Sequence, residues 1–220
     1  MSEQLLYVLS EPGAVPLEEF HTWYDQDHGP ARMGVPGIED GRRYRALDDR
    51  APGWLATYEL APGALSGPEY QRVRQRSRYE AELVSRLATL DRRVYGLVDD
   101  HGRPPTAPAV LLSVALSTTD EEALHSWYTE EHIPLLHSIE GWWRTRRYRL
   151  LEGAGPSFLA LHEIADTGLF EDETYLRAVS TERRERVMAS VTARERRVFG
   201  FHRRLRALVA EGAERSGGDD

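Results

Sequence analysis

The chain has 220 residues, 40% of them hydrophobic, enough to build the core of one large domain or two small ones, so collagen-like and disordered classes are excluded. Its 36 acidic residues outnumber the 28 basic ones and leave a net charge of -8, which argues against a nucleic-acid binder that needs a cationic face. Cysteine, lysine and asparagine are absent, which removes disulfides, thiolate nucleophiles, cysteine-ligated zinc, lysine Schiff bases and N-glycosylation.

The first segment, MSEQLLYVLSEPG, has no basic n-region, and no later stretch approaches the roughly 20 apolar residues of a membrane span, so the expected location is the cytoplasm with no membrane partner. LLYVL at 5–9 reads as a first strand, followed by turn residues. Leu17, Phe20, Tyr24 and His28 recur at helical spacing, and Gly29-Pro30 is expected to end that helix. Arg42-Arg43-Tyr44-Arg45 and WLATYEL at 54–60 read as an antiparallel hairpin. An arginine- and glutamate-rich stretch over 68–90 suits one long amphipathic helix, and VYGLV at 94–98 closes the unit as a fourth strand.

Beyond the proline-rich segment 99–108, read as a linker, the same order returns. A shift of 104 positions carries His21-x-Trp23-Tyr24-x-x-x-His28-x-Pro30 onto His125-x-Trp127-Tyr128-x-x-x-His132-x-Pro134. Without a gap it also carries Gly37 to Gly141, Arg42-Arg43-Tyr44-Arg45 to Arg146-Arg147-Tyr148-Arg149, Glu59 to Glu163 and Gly96 to Gly200. The expected second strand is VLLSVAL at 110–116, Pro134 is expected to end its helix, and a second long helix is expected over 172–194. The domain reading is therefore 1–98, linker 99–108, 109–205, and a polar tail at 206–220. Each unit runs βαββαβ, the ferredoxin-like arrangement, whose bare sheet face must be covered; two copies in one chain supply that cover, giving an α+β class built as a pseudo-dimeric barrel.

The W-Y-x-x-x-H-x-P helix end, the glycine turn and the R-R-Y strand inside a βαββαβ unit resemble the EthD-like branch of the dimeric α+β barrel superfamily, over 5–98 and 109–205. The resemblance implies two units packed sheet to sheet, here as a fused pseudo-dimer, with ligand pockets between each sheet and its helices. It also implies a range of activities: cofactor-free isomerases, cyclases and decarboxylases of aromatic polyketides, small monooxygenases, and some haem-binding relatives. It places the helix-end histidine at the pocket mouth.

Tyr24 and His28 share one helical face, as do Tyr128 and His132, and a histidine there can move a proton near neutral pH. The competing reading is that His28 and His132 only hold the turn before proline. His21 and His125 sit mid-helix with no orientation legible, and Trp23 and Trp127 read first as core anchors, Trp127 also as a pocket wall. Strand alternation puts Trp54, Ala56 and Tyr58 on one face and Phe158, Ala160 and His162 on its counterpart, so Tyr58 has become His162; His137 likewise stands where the first unit has Met33. The histidine-rich second unit is thus expected to hold the active pocket. Expected catalytic residues are His132, His162, His28 and Tyr128, and expected substrate contacts are Tyr24, Tyr44, Tyr148, Tyr58, Trp127 and Arg147. The other arginines of the R-R-Y-R strands read as partners of surplus glutamates.

His21, Asp25 and His28 have facial-triad spacing, but the second unit replaces the carboxylate with Thr129, so no metal is expected. The favoured function is a cofactor-independent enzyme on a small hydrophobic acid or ketone, working by histidine-mediated proton transfer, as a monomer with pseudo-two-fold symmetry or a homodimer. The alternatives are a metabolite-binding accessory protein and a haem-dependent or monooxygenase-type oxidoreductase.

Overall fold

Eight strands alternate with two sets of helices in a computed structural model that describes residues 3–107 and 109–207. The strands are β1 (Gln4–Glu11), β2 (Ile38–Ala46), β3 (Trp54–Leu60), β4 (Thr89–Gly102), β5 (Val110–Thr118), β6 (Trp142–Glu152), β7 (Phe158–Ile164) and β8 (Val191–Leu205). Every pairing is antiparallel, and the sheet closes into a barrel in the order β1-β3-β2-β8-β5-β7-β6-β4. Adding four to each strand number reproduces the same cyclic order, so the first half (β1–β4) and the second half (β5–β8) are related by a pseudo-two-fold axis.

Closure depends on two long strands. β4 and β8 run past their own sheets and pair with the other half's edge: Asp99 lies opposite Arg147 and Gly102 opposite Arg144, while Arg203 lies opposite Arg43 and Leu205 opposite Gly41. Residues 99–102, expected as linker, are therefore strand. The expected tail lies outside the described residues from 208 onward.

Period-two alternation sorts the side chains. One face of each strand fills the barrel, where Leu5, Leu9, Tyr44, Leu55, Tyr148, Leu159, Leu161 and Phe199 are buried together. The other face packs under helices, as with Leu6, Val8, Trp54, Ala56 and Tyr58 in the first half and Leu116, Phe158 and Ala160 in the second.

The first helix of each half continues past its proline, contrary to the sequence expectation. In the first half α1 (Leu17–Thr22) passes through a π-helical turn (Trp23–His28) into α2 (Gly29–Met33). In the second, α5 (Glu121–Trp127) passes through Tyr128–His132 into α6 (Ile133–His137). The wide register is visible in the bonds Gly29 N–H to Tyr24 O and Ile133 N–H to Tyr128 O. Pro30 and Pro134 then occupy the first turn of a new α-segment, where a missing N–H costs nothing and the ring meets no preceding carbonyl.

The expected long helices are each split, into α3 (Pro68–Arg74) and α4 (Arg78–Ser85), and into α7 (Glu173–Ala178) and α8 (Glu182–Met188). The breaks fall at caps: Ser77 Oγ accepts the Glu80 N–H, and Thr181 Oγ1 accepts the Arg184 N–H, both at 3.1 Å. Gly37 and Gly141, with φ of +87° and +92°, make the matching turns into β2 and β6.

Candidate functional site

The π-helical turn of the second half holds Tyr128 and His132 beside the sheet, where a small, partly open cavity lies between β5 and the helices α7 and α8. Trp127, Tyr128, His132 and His162, four of the residues singled out in the sequence, all line it. Leu112, Val114, Leu116, Leu136 and Met188 supply apolar walls.

His132 is buried, stacked on Trp127 with ring centroids 4.3 Å apart, and its Nδ1 donates to the Ala178 carbonyl at 3.2 Å. A carbonyl only accepts, so Nδ1 carries the proton and Nε2 of the neutral ring keeps its lone pair. Burial pulls the His132 pKa down to about 4, against the Ala178 hydrogen bond, which favours the protonated ring. His162 is more deeply buried, and desolvation, with His132 and His137 close by, holds its pKa well below the ordinary value. Tyr128 is pushed up to about 12 by burial, the Arg147 guanidinium opposing the shift, so its hydroxyl stays a donor.

His162 does not stand alone. Its Nδ1 lies 3.0 Å from Thr145 Oγ1, and the same hydroxyl lies 3.0 Å from His137 Nε2, so a chain of hydrogen bonds leads from the cavity to a half-buried histidine. The first half has Tyr58, Gly41 and Met33 at these three places. A Cβ on Gly41 would meet Met33 Sδ at 2.6 Å and Tyr58 Cδ1 at 3.2 Å, so the glycine makes room there for the two larger side chains. Replacing Thr145 with Val keeps the shape and deletes the hydroxyl. Nitrogen NMR of the ring atoms should then show His137 and His162 shifting together with His132 unmoved; unchanged His137 shifts would mean that the chain of bonds does not persist in solution.

In the first half a tyrosine pair fills the part of the equivalent space next to the sheet. Tyr58 donates to the Tyr24 hydroxyl at 3.2 Å, and both rings are buried among Phe20, Trp23 and Leu83. His28 packs on Trp23 at 4.4 Å, and its Nδ1 bonds Glu80 Oε1 at 2.8 Å. Burial lowers its pKa to about 4, outweighing the help from Glu80. His28, Tyr24 and Tyr58, named from the sequence as site residues, therefore do not share a cavity with His132 and His162. His28 instead faces an outer cleft beside Arg32, Tyr79 and Glu80.

The R-R-Y-R strands divide as alternation requires. Arg43 lies under the first helix, 4.2 Å from the Tyr24 ring centre and bonded to Asp25 Oδ1 at 2.6 Å. Arg147 takes the matching place beneath Tyr128, but with Thr129 in place of Asp25 its carboxylate comes from Asp99 on β4. Arg147 borders a smaller adjoining space that meets the main cavity at Tyr128. Tyr44 and Tyr148 point the other way, into the barrel, so Tyr44 is not a contact of the sheet–helix cavity and Tyr148 reaches only the adjoining space.

The spaced set His21, Asp25 and His28 does not assemble, because His28 turns to Glu80. His202 joins His21 and Asp25 instead, with their ligand atoms within 4.8 Å of one another. Asp25 is already engaged by Arg43 at 2.6 Å and Arg203 at 2.7 Å, so two guanidinium groups occupy the charge that a cation would need. Sequence reasoning passed over Trp142, Thr145, Arg184, Arg194 and Arg196, all at the cavity or its hydrogen-bond chain. The signal was available at the same offset of 104: Glu80 becomes Arg184, Leu90 becomes Arg194, and Gly41 becomes Thr145.

No protein-family model and no curated protein matches the chain in sequence. Among solved structures it is similar to an anthrone oxidase-like protein, at 12% identity and a TM-score of 0.66 over 95% of this chain and 98% of that one. It is also similar to a monooxygenase-like protein of Fusobacterium nucleatum (8% identity, TM-score 0.57, 93% and 95% covered). A chlorite dismutase variant from Candidatus Nitrospira defluvii matches at 10% identity and a TM-score of 0.56, with 92% of each chain covered. At such identities the likeness is one of fold, and that fold is a closed, pseudo-dimeric α+β barrel with two four-stranded, ferredoxin-like units in one polypeptide.

Proposed function

We propose that the protein is a cofactor-independent enzyme that moves a proton on a small hydrophobic acid or ketone, with the second-half cavity as its active site. The observation that carries this reading is the pair of buried, neutral histidines lining one cavity, where the first half has a tyrosine pair closed on itself. In this reading His132 Nε2 takes a proton from an acidic carbon or hydroxyl, since its Nδ1 proton is committed to Ala178. Tyr128 donates to the oxygen on which negative charge develops, and His162 gives a proton from Nε2 while Thr145 replaces it at Nδ1 with one passed on from His137, which regains its own from solvent. Burial opposes imidazolium formation only until an anion forms beside it.

The wider reading is that the halves 1–98 and 109–205 are tandem copies of an EthD-like unit, supported by the offset of 104 and the strand order that maps onto itself. A monomer acting in the cytoplasm belongs to the same reading; no helix among the described residues is long and apolar enough to cross a membrane.

The test is proton NMR in heavy water with a panel of aromatic β-keto acids and hydroxylated aryl ketones, following carbon-bound deuterium exchange and loss of carbon dioxide. Wild-type protein should accelerate one of these. His132→Gln and His162→Ala should each lose about 100-fold or more, the usual span of general acid–base catalysis, while Tyr58→Phe stays within about twofold. Equal losses from Tyr58→Phe and His162→Ala, or no acceleration across the panel, would defeat the reading.

A further inference from the structure

The second-half cavity is rich in donors and carries no carboxylate on its walls. Arg184, Arg194 and Arg196 all line it, and among the described residues none of the three lies within 4.0 Å of an acidic side chain. By contrast, the arginines Arg42, Arg43, Arg93, Arg144, Arg146 and Arg147 of the barrel strands have carboxylate partners. Arg196 finds only the Tyr175 hydroxyl, at 3.3 Å, and the Phe170 ring, at 4.7 Å. The wall residue Trp142 adds a buried indole N–H with no acceptor. Arg194 is exposed and Arg184 and Arg196 are half-buried, so water reaches their charges, but three clustered cations repel and the buried Trp142 N–H is left without a partner, and an acceptor among them would relieve both costs.

Comparison of the halves sharpens the point. The residues matching Arg184, Arg194 and Arg196 are Glu80, Leu90 and Arg92. In the first half Glu80 satisfies His28, and Arg92 is paired with Glu152 at 2.9 Å. One set is neutral in sum, with a partner for each charge; the other carries three positive charges with no carboxylate within 4.0 Å among the described residues.

We propose that the cavity is a carboxylate site: its ligand is a small monoanionic acid whose ring lies against the apolar walls and whose carboxylate is held by Arg184 and Arg196, with Arg194 at the mouth and the Trp142 N–H as a further donor. This rests on the reading of the cavity as a small-molecule site, and within that reading it selects acids over neutral ketones. Guanidinium forks suit a planar carboxylate, and the missing carboxylate partners leave them free to take one. An anion bound there also faces His132 and His162, and its charge favours the protonated ring that a base must become.

The experiment is titration of the full chain with benzoate and with its neutral isostere benzamide, read by tryptophan fluorescence, since Trp127 and Trp142 line the cavity, and by the ring resonances of His132 and His162. Benzoate should bind at least tenfold more tightly than benzamide and move both histidine rings. Arg184→Met and Arg196→Met should each weaken benzoate at least fivefold and benzamide less than twofold, with Arg184→Lys recovering part of the loss and Arg92→Met changing neither. Variants are compared only where their far-ultraviolet dichroism and urea midpoint match wild type, and Arg184→Lys keeps the test decisive if a Met variant does not fold. Equal affinity for the two probes, equal losses of both on arginine replacement, or no binding of benzoate would overturn the proposal. Because this readout involves no turnover, deuterium exchange on a neutral ketone alongside failed benzoate binding would overturn the carboxylate site and leave the catalytic reading standing.

Discussion

Replacing Glu163 with Leu should destabilise the protein by about 3 kcal/mol, the lower end of the cost of breaking a buried ion pair. Glu163 is 1% exposed and lies inside the barrel, 2.9 Å from Arg42 Nη1 and 3.6 Å from both Arg144 and Arg146. Removing it leaves three guanidinium groups around an apolar side chain. The cost stays moderate because each keeps one other carboxylate: Asp40 for Arg42, Asp100 for Arg144 and Glu59 for Arg146. Glu163→Gln, which retains an acceptor, should cost less, and Arg146→Leu in the Glu163→Leu background should cost less than Arg146→Leu alone. Urea unfolding of the four variants measures this; a loss below about 1 kcal/mol for Glu163→Leu would show that the interior charges are not coupled.

Acidification from pH 7 to pH 5 should remove about 4 kcal/mol through two histidines alone. Both His28 and His132 have folded pKa values of about 4 against an ordinary 6.5, burial being the main cause in each. Between those limits the unfolded chain binds the proton and the folded one does not, so falling pH favours unfolding. Each group contributes about 2 kcal/mol by pH 5. His162, shifted in the same direction, adds to the loss. Carboxylates contribute little in this window because their unfolded pKa values lie lower. His132→Gln keeps a donor for Ala178 and cannot titrate, so its stability should fall by about 2 kcal/mol less than wild type over the same range. An equal fall would place protonation elsewhere.

The barrel was legible because its determinants are periodic. Alternation in WLATYEL and FLALHEI and the repeated R-R-Y-R strands gave the hairpins, and the offset of 104 gave the pairing of halves. His132, His162 and Tyr128 were brought to one cavity as alternation and helical spacing required. The misses have local physical causes. Ser77 and Thr181 were read within long helical stretches although each is a capping residue, so two breaks were passed over. Proline was taken as a stop, but a π-turn places it in a fresh first turn. Tyr44 and Tyr148 were set in the wrong layer because nothing in the strand alone tells which face looks into the barrel. The cationic lining of the cavity is assembled from α8 and β8, far from the motif, and emerges only from comparing equivalent positions between halves.

Across the pseudo-dyad each half lends an arginine to the other: Arg42 reaches Glu163 and Arg146 reaches Glu59, equivalent bonds at the offset of 104. A barrel made from two identical chains would satisfy this exchange equally well, but it would also have to carry every other substitution twice. In such an assembly a residue that plugs one pocket plugs both. Joining the halves in one chain removes that constraint, so Tyr24 and Tyr58 can brace one side while His162, Thr145 and His137 specialise the other.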